Sequence, residues 1–97
     1  MSGEDLEVQV HFYGVLREIT GKSSEAVLLG SPSLEDLLKD LSERYPAPFK
    51  VFFFKGERLA PQINVFVNRA VVLPQEIPDR RLHHGDQIDL FAPVSGG

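Results

Sequence analysis

The chain contains no cysteine among its 97 residues. That excludes a disulfide framework, a thiolate nucleophile and any metal site built on cysteine. It also fits a reducing compartment. Basic runs are scarce as well. The ten Lys and Arg are scattered, Arg80-Arg81 is the only adjacent pair, and the formal net charge is -4. A phosphate-backbone binder normally shows a basic patch or stripe, so no nucleic-acid partner is expected. Long apolar runs are missing too: Val51-Phe52-Phe53-Phe54 falls far short of the roughly 20 residues of a membrane span. The start, Met1 to Leu6, has neither a basic n-region nor an apolar h-region. Neither a membrane span nor a secretory signal is therefore expected, and the sequence predicts a cytoplasmic protein.

What is present suits one compact core. Hydrophobic residues make up 42% of the chain, and a typical domain has about 100–150 residues. The expectation is a single domain over residues 1–97. There is no internal repeat, linker or low-complexity run.

Several segments declare their structure. From Glu7 to Tyr13, Val8, Val10 and Phe12 alternate with Glu7, Gln9, His11 and Tyr13, which predicts a half-buried strand. After Gly14, the residues Val15, Leu16 and Ile19 form either a turn of helix or a cover on the core edge. Glu25 to Leu29 reads as a second strand, ended by Gly30-Ser31-Pro32. Ser33 and Asp36 have capping-box spacing. Leu34, Leu37, Leu38, Leu41 and Tyr45 then make one apolar helical stripe, and Pro46 stops it. The opposite face carries Glu35–Lys39 and Asp40–Arg44, acid before base at i,i+4. Ala47 to Pro61 is less legible: Phe49 and Val51 to Phe54 suggest a short strand, with Lys55-Gly56-Glu57 as a turn. In Gln62 to Val67, Ile63, Val65 and Val67 share one face, with Asn64 and Phe66 on the other. A turn at Asn68-Arg69-Ala70 leads to Val71-Val72-Leu73, then a loop from Pro74 to Pro78. His84-Gly85-Asp86 marks a turn before a last strand, Gln87 to Phe91, with Ile88 and Leu90 inward.

One helix with one apolar stripe must bury it against one face of a sheet. The first and last strands are the strongest and pair centrally in the simplest arrangement. The predicted fold is α+β: a β-grasp, with a mixed sheet of four to five strands wrapped on one helix.

Pro93-Val94-Ser95-Gly96-Gly97 follows the last strand after Ala92 alone. The run Leu82 to Gly97, with its Gly85-Asp86 turn, apolar strand and Pro-Val-x-Gly-Gly end, resembles the C-terminus of ubiquitin-like sulfur carriers. Val8 to Phe12 with Arg17-Glu18, and Val65-Phe66-Val67-Asn68, match as well. The resemblance is strongest to the small subunits of molybdopterin synthase; the thiamine-pathway carriers are more distant. Ala92, where a second proline is common, and Arg69, where a small or polar residue is usual, depart from the pattern.

The resemblance implies a carrier that is not catalytic alone and binds no cofactor itself. Its Gly97 carboxylate would be adenylated with ATP on a ubiquitin-activating-type partner enzyme, then converted to a thiocarboxylate. The sulfur acceptor would be the large subunit of molybdopterin synthase or another acceptor. The alternatives are a modifier joined to lysines through Gly97, or a carrier for thiamine or tRNA thiolation. The chemistry fits. A free C-terminal carboxylate has a pKa of roughly 3.3–3.7 and is unreactive at neutral pH until activated. Gly96 and Gly97 lack Cβ and pass a narrow channel, Pro93 holds the tail extended, and Val94 travels with it. Five residues span at most about 17 Å.

Other candidates read more simply. His83 and His84 lack a converging third ligand, since His11 lies on another strand, so no metal site is expected. Asp86 reads as turn chemistry. Glu35, Asp36, Asp40 and Glu43 read as a solvated helix face. Phe66 and Phe91, joined by Tyr13, occupy outward strand positions and, with Pro93 and Val94 of the tail, are expected to form a partner surface. The alternative is that the Ala47–Pro61 segment folds over them.

Overall fold

The computed structural model describes residues 6–92; the expectations for Pro93, Val94, Gly96 and Gly97 concern positions outside the described residues. The alternating run predicted at the start forms β1, Leu6–Tyr13, with Val8, Val10 and Phe12 fully buried. A short α1, Val15–Thr20, follows and ends at Gly21, whose φ of 74° takes the left-handed C-cap position. It buries Leu16, which settles the choice left open for this connector in favour of a helix. Next comes β2, Ser24–Leu29, antiparallel to β1.

Helix α2, Leu34–Arg44, forms where its stripe predicts. The Ser33 hydroxyl accepts a hydrogen bond from the Asp36 N–H at 3.1 Å. The return half of the expected capping box is replaced: the Asp36 carboxylate accepts from the Ser31 hydroxyl at 2.8 Å. Leu34, Leu37, Leu38 and Leu41 are fully buried. Of the two predicted surface pairs, Asp40–Arg44 forms at 3.4 Å. Among the described residues Glu35 and Lys39 make no ion pair, as is common for exposed charges. Arg44 also reaches Glu25 on β2, at 2.6 Å.

The segment after Pro46 corrects the sequence reading. Phe49 and Val51 do not extend a strand; α3, Ala47–Val51, occupies that stretch. Pro46 has φ of -54° and stands at its N-cap, a conformation the proline ring already imposes. Phe49 and Phe53, one helical turn apart, are both fully buried with ring centroids 5.0 Å apart. Only Phe54 keeps the strand role, in β3, Phe54–Lys55. Gly56, at φ of 65°, turns it into β4, Arg58–Leu59.

Strand β5, Asn64–Val67, reaches β6, Ala70–Val72, through Asn68 and Arg69, both at positive φ (51° and 73°). This is a tight two-residue hairpin of the kind matched to strand twist. The Pro74–Pro78 loop is wound into a 3-10 turn, Pro74–Asp79, which buries Ile77; the Glu76 carboxylate accepts from the Leu73 N–H at 2.9 Å. Last comes β7, Gln87–Phe91.

The main sheet has five strands in the order β2-β1-β7-β5-β6, with β3-β4 a separate hairpin. The two strongest strands do pair centrally: β1 and β7 run parallel, while β5 joins β7 antiparallel. The sheet is thus mixed, as predicted, and α2 is its principal helix. The expectation of a single helix is exceeded by α1 and α3. Core side chains from β1, β2, β5 and β7 meet α2 and α3 on one face.

Candidate functional site

Parallel pairing of β1 with β7 decides what stands on the opposite, outer face. Tyr13 lies beside Phe91, His11 beside Asp89, and Gln9 beside Gln87. On the other flank of β7, Asn64 faces Phe91 and Phe66 faces Asp89, with Val71 next to Phe66 on β6. Side chains at paired positions on one face touch, and diagonal neighbours remain within aromatic reach.

The rings exploit this. Tyr13 and Phe91 stack with centroids 4.1 Å apart and planes 3° apart. Phe66 meets Phe91 edge-on at 5.5 Å and 79°. His11 lies parallel to Tyr13 at 6.5 Å. Phe91 remains 40% exposed and Val71 53% exposed, so the cluster is an apolar patch open to solvent. The alternative cover does not form. The segment from Ala47 packs on the helix side, where Phe49 and Phe53 join the core and α3 lies against α2 and α1.

Asp89 sits in the middle of the patch and is only 7% exposed. Its carboxylate accepts from the Gln87 amide at 3.1 and 3.3 Å and from the Tyr13 hydroxyl at 3.5 Å. Burial, then the charge of Asp89 and its hydrogen bond, push the Tyr13 phenol above its ordinary pKa. The phenol therefore stays protonated and remains a donor at neutral pH.

The chain leaves the sheet beside this patch. Ala92 is buried, and its carbonyl oxygen would lie 3.0 Å from a Cβ placed on Gly14. Gly14 itself has φ of 65° and ψ of -137°, a conformation that L side chains rarely adopt. Backbone freedom and close approach are both needed at the root from which Pro93 to Gly97 continue.

The turn before β7 is locked by polar contacts, as Asp86 predicted. Asp86 accepts from the His83 N–H at 2.8 Å and from the Asn68 amide at 2.9 Å. Asn68 also accepts from the Gln87 N–H at 3.0 Å. The start of β7 is thereby tied to the β5–β6 hairpin, which fixes the register of the patch. Both His83 and His84 are exposed, and the His84 Nδ1 accepts from the Glu7 N–H at 3.2 Å. Among the described residues no three His, Asp or Glu side chains converge as a metal would require.

The structure thus brings together Phe66, Phe91 and Tyr13, which the sequence singled out. Two residues escaped notice. For Asp89, strand alternation gives its face but not its cross-strand neighbours. For Gly14, the position between a strand and a short helix is the available signal.

A mixed sheet with a central parallel pair, curled on a main helix, is the ubiquitin-like β-grasp architecture. Residues 10–97 match the ThiS family model. The chain belongs to the ThiS family, within the ubiquitin-like sulfur carriers and modifiers. It is 27% identical over 93 residues to small archaeal modifier protein 3 of Haloferax volcanii, covering 95% of this chain and 100% of the relative. The solution structure of small archaeal modifier protein 1 from Methanosarcina acetivorans superposes with a TM-score of 0.78. It is 31% identical, covering 98% of this chain and 100% of that one. The crystal structure of the Amycolatopsis orientalis BexX/CysO complex contains a chain with a TM-score of 0.68 and 31% identity, covering 93% of this chain and 99% of that one.

Proposed function

We propose that this protein is a sulfur carrier whose reacting group is the carboxylate of Gly97. A ubiquitin-activating-type enzyme converts that carboxylate to an acyl adenylate with ATP. Sulfide delivered by a partner then displaces AMP and leaves a thiocarboxylate. The chain holds no cysteine, so it contributes the acyl group and never the sulfur. The observation that carries this reading is the continuity of the last strand with the tail. Strand β7 lies between β1 and β5, its end is seated on Gly14, and the sequence runs on into Pro-Val-Ser-Gly-Gly. A firm root next to an apolar aromatic face suits a short acyl arm that must enter another protein's active site. The face gives that partner a rigid anchor, which limits the ordering cost of binding the tail.

The acceptor we propose is the large subunit of molybdopterin synthase, with this chain as the small subunit of that assembly. The C-terminal run from Leu82 supports this. A second reading is conjugation to lysines through Gly97. It is favoured by the Haloferax and Methanosarcina relatives, both named as modifiers and matched over nearly the whole chain. The two readings share the adenylation step and differ in the attacking nucleophile.

Two measurements test the proposal. ATP–pyrophosphate exchange with the host's adenylating enzyme should proceed with the full chain and stop when Gly97 is deleted, while the fold persists. Normal exchange by the deleted chain would remove the carrier reading. Intact mass of the protein isolated from its host then separates the acceptors. A sulfur-for-oxygen exchange marks the thiocarboxylate, and adducts of much higher mass mark conjugation.

A further inference from the structure

The outer face carries one feature that an apolar docking surface does not call for: the Asp89 carboxylate at its centre. Among the described residues every donor that reaches it is neutral, namely the Gln87 amide at 3.1 and 3.3 Å and the Tyr13 hydroxyl at 3.5 Å. Among the described residues Asp89 belongs to no ion pair. Among the described residues the imidazole of His11 stands directly across on β1, and the cations Arg17 and Arg69 act on the Tyr13 hydroxyl. None of them closes on Asp89. Asp89 is only 7% exposed, so beyond these neutral donors its charge is met only by the little water that reaches it. A partner that covered Phe66, Phe91 and Tyr13 would strip that water, and an unpaired carboxylate sealed in an interface is strongly unfavourable.

We propose that the protein which receives the tail inserts an arginine onto this face, and that Asp89 selects it. This rests on the reading above, that a partner docks beside the root of the tail. The chemistry favours guanidinium over ammonium. A guanidinium donates two parallel hydrogen bonds to one carboxylate and lies flat on aromatic rings, and Tyr13, Phe66 and Phe91 surround Asp89. Gln87, whose amide now holds both carboxylate oxygens, is a single flexible side chain that can swing aside. A partner with only apolar groups here would bury the charge unpaired, so the same residue that attracts one class of partner rejects another.

The test is calorimetric titration of the full chain against the host's adenylating enzyme, with pyrophosphate exchange in parallel. Asp89→Asn keeps the shape and removes the charge; Asp89→Leu adds apolar surface; Asp89→Glu keeps the charge. Thermal melts check that each variant is folded. The expected result is binding at least ~10-fold weaker for both Asn and Leu, with Glu recovering part of the loss. Wild-type affinity in the Asn variant, or tighter binding in the Leu variant, would overturn the arginine and leave a purely apolar surface. Association of the chain with itself through this face, abolished by Asp89→Asn, would overturn it in favour of a second copy as occupant. If the wild-type chain supports no exchange at all, the carrier reading falls and the proposal with it. Exchange with an unaffected Asn variant overturns the proposal alone.

Discussion

The two faces of the sheet are written in the same strands, one residue out of step, yet they are built on different rules. On the inner face Val8, Val10, Phe12, Val65, Ile88 and Leu90 are essentially inaccessible and meet the leucines of α2. On the outer face the neighbouring positions hold Tyr13, Phe66, Asp89 and Phe91, a mixture of rings and charge that no second layer covers in the described residues. The inner face buries apolar area and holds the fold. The outer face keeps apolar area in water, a cost that makes sense where another protein will remove it. On the proposed reading, one period-two alternation separates stability from recognition.

If that division is right, substitutions on the two faces should fail in different assays. The largest stability effect belongs to the inner face. Leu41→Ala leaves a cavity between α2 and the sheet and should destabilise the protein by about 2–5 kcal/mol. Denaturant melts measure this, and a loss below about 1 kcal/mol would mean that the helix contributes little to the inner face.

At the boundary between the faces, Gly14→Ala should cost about 1–3 kcal/mol, because the residue is held at positive φ and its Cβ would press on the Ala92 carbonyl. Gly21→Ala is the matched control: its φ is also positive, but a Cβ there meets nothing within 4 Å. Both variants should lose stability. Only Gly14→Ala should shift the backbone amide resonances of Ala92 and impair pyrophosphate exchange. Equal exchange by the two variants would show that the root of the tail does not matter.

The edge of the inner face supplies a pH-dependent test. Glu25 on β2 accepts from the Tyr45 hydroxyl and pairs with Arg44 at 2.6 Å and Lys22 at 3.5 Å. Burial alone would raise the Glu25 pKa, but the Tyr45 hydrogen bond and the two cations outweigh it and hold the carboxyl below its usual value. A depressed folded-state pKa contributes stability above the unfolded value of about 4.3 and loses it as pH falls through the folded value. Glu25→Gln should therefore cost about 1–2 kcal/mol at neutral pH. The gap from wild type should close in acid, below the depressed value. A gap that persists there would assign the effect to packing.

The smallest stability effect belongs to the outer face. Phe91→Ala removes one stacked and one edge-on ring contact and should cost about 1 kcal/mol or less. The same change should weaken binding to the adenylating enzyme at least ~10-fold, or about 1.4 kcal/mol. Collapse of the fold, or unchanged affinity, would erase the distinction between the faces.

Legibility along the chain follows the same physics. Helix α2 was plain because its cap, stripe and terminal proline are all local signals, and the strands from Glu7 and Gln87 were plain through alternation. Ala47 to Pro61 was not. Phe49 and Phe53 satisfy a helical turn, while the aromatic run containing them equally suggests a strand. Proline at the N-cap and packing against α2 decide between the two. On the candidate site, Phe66 and Phe91 were visible as outward aromatics, whereas Asp89 and Gly14 matter only through residues distant in the chain.

The sequence by itself determined the class of fold, the inward and outward sets of side chains, and the Gly-Gly end that carries the proposed chemistry. These depend on local periodicity and on residue types whose conformational preferences act over a few positions. The tertiary structure alone decided that β1 and β7 pair in parallel in a register that stacks Tyr13 on Phe91. That register also centres Asp89 among the rings and brings the Ala92 carbonyl against Gly14. Pairing register between segments more than 70 residues apart is set by the summed burial of the whole core, which no local stretch of sequence contains.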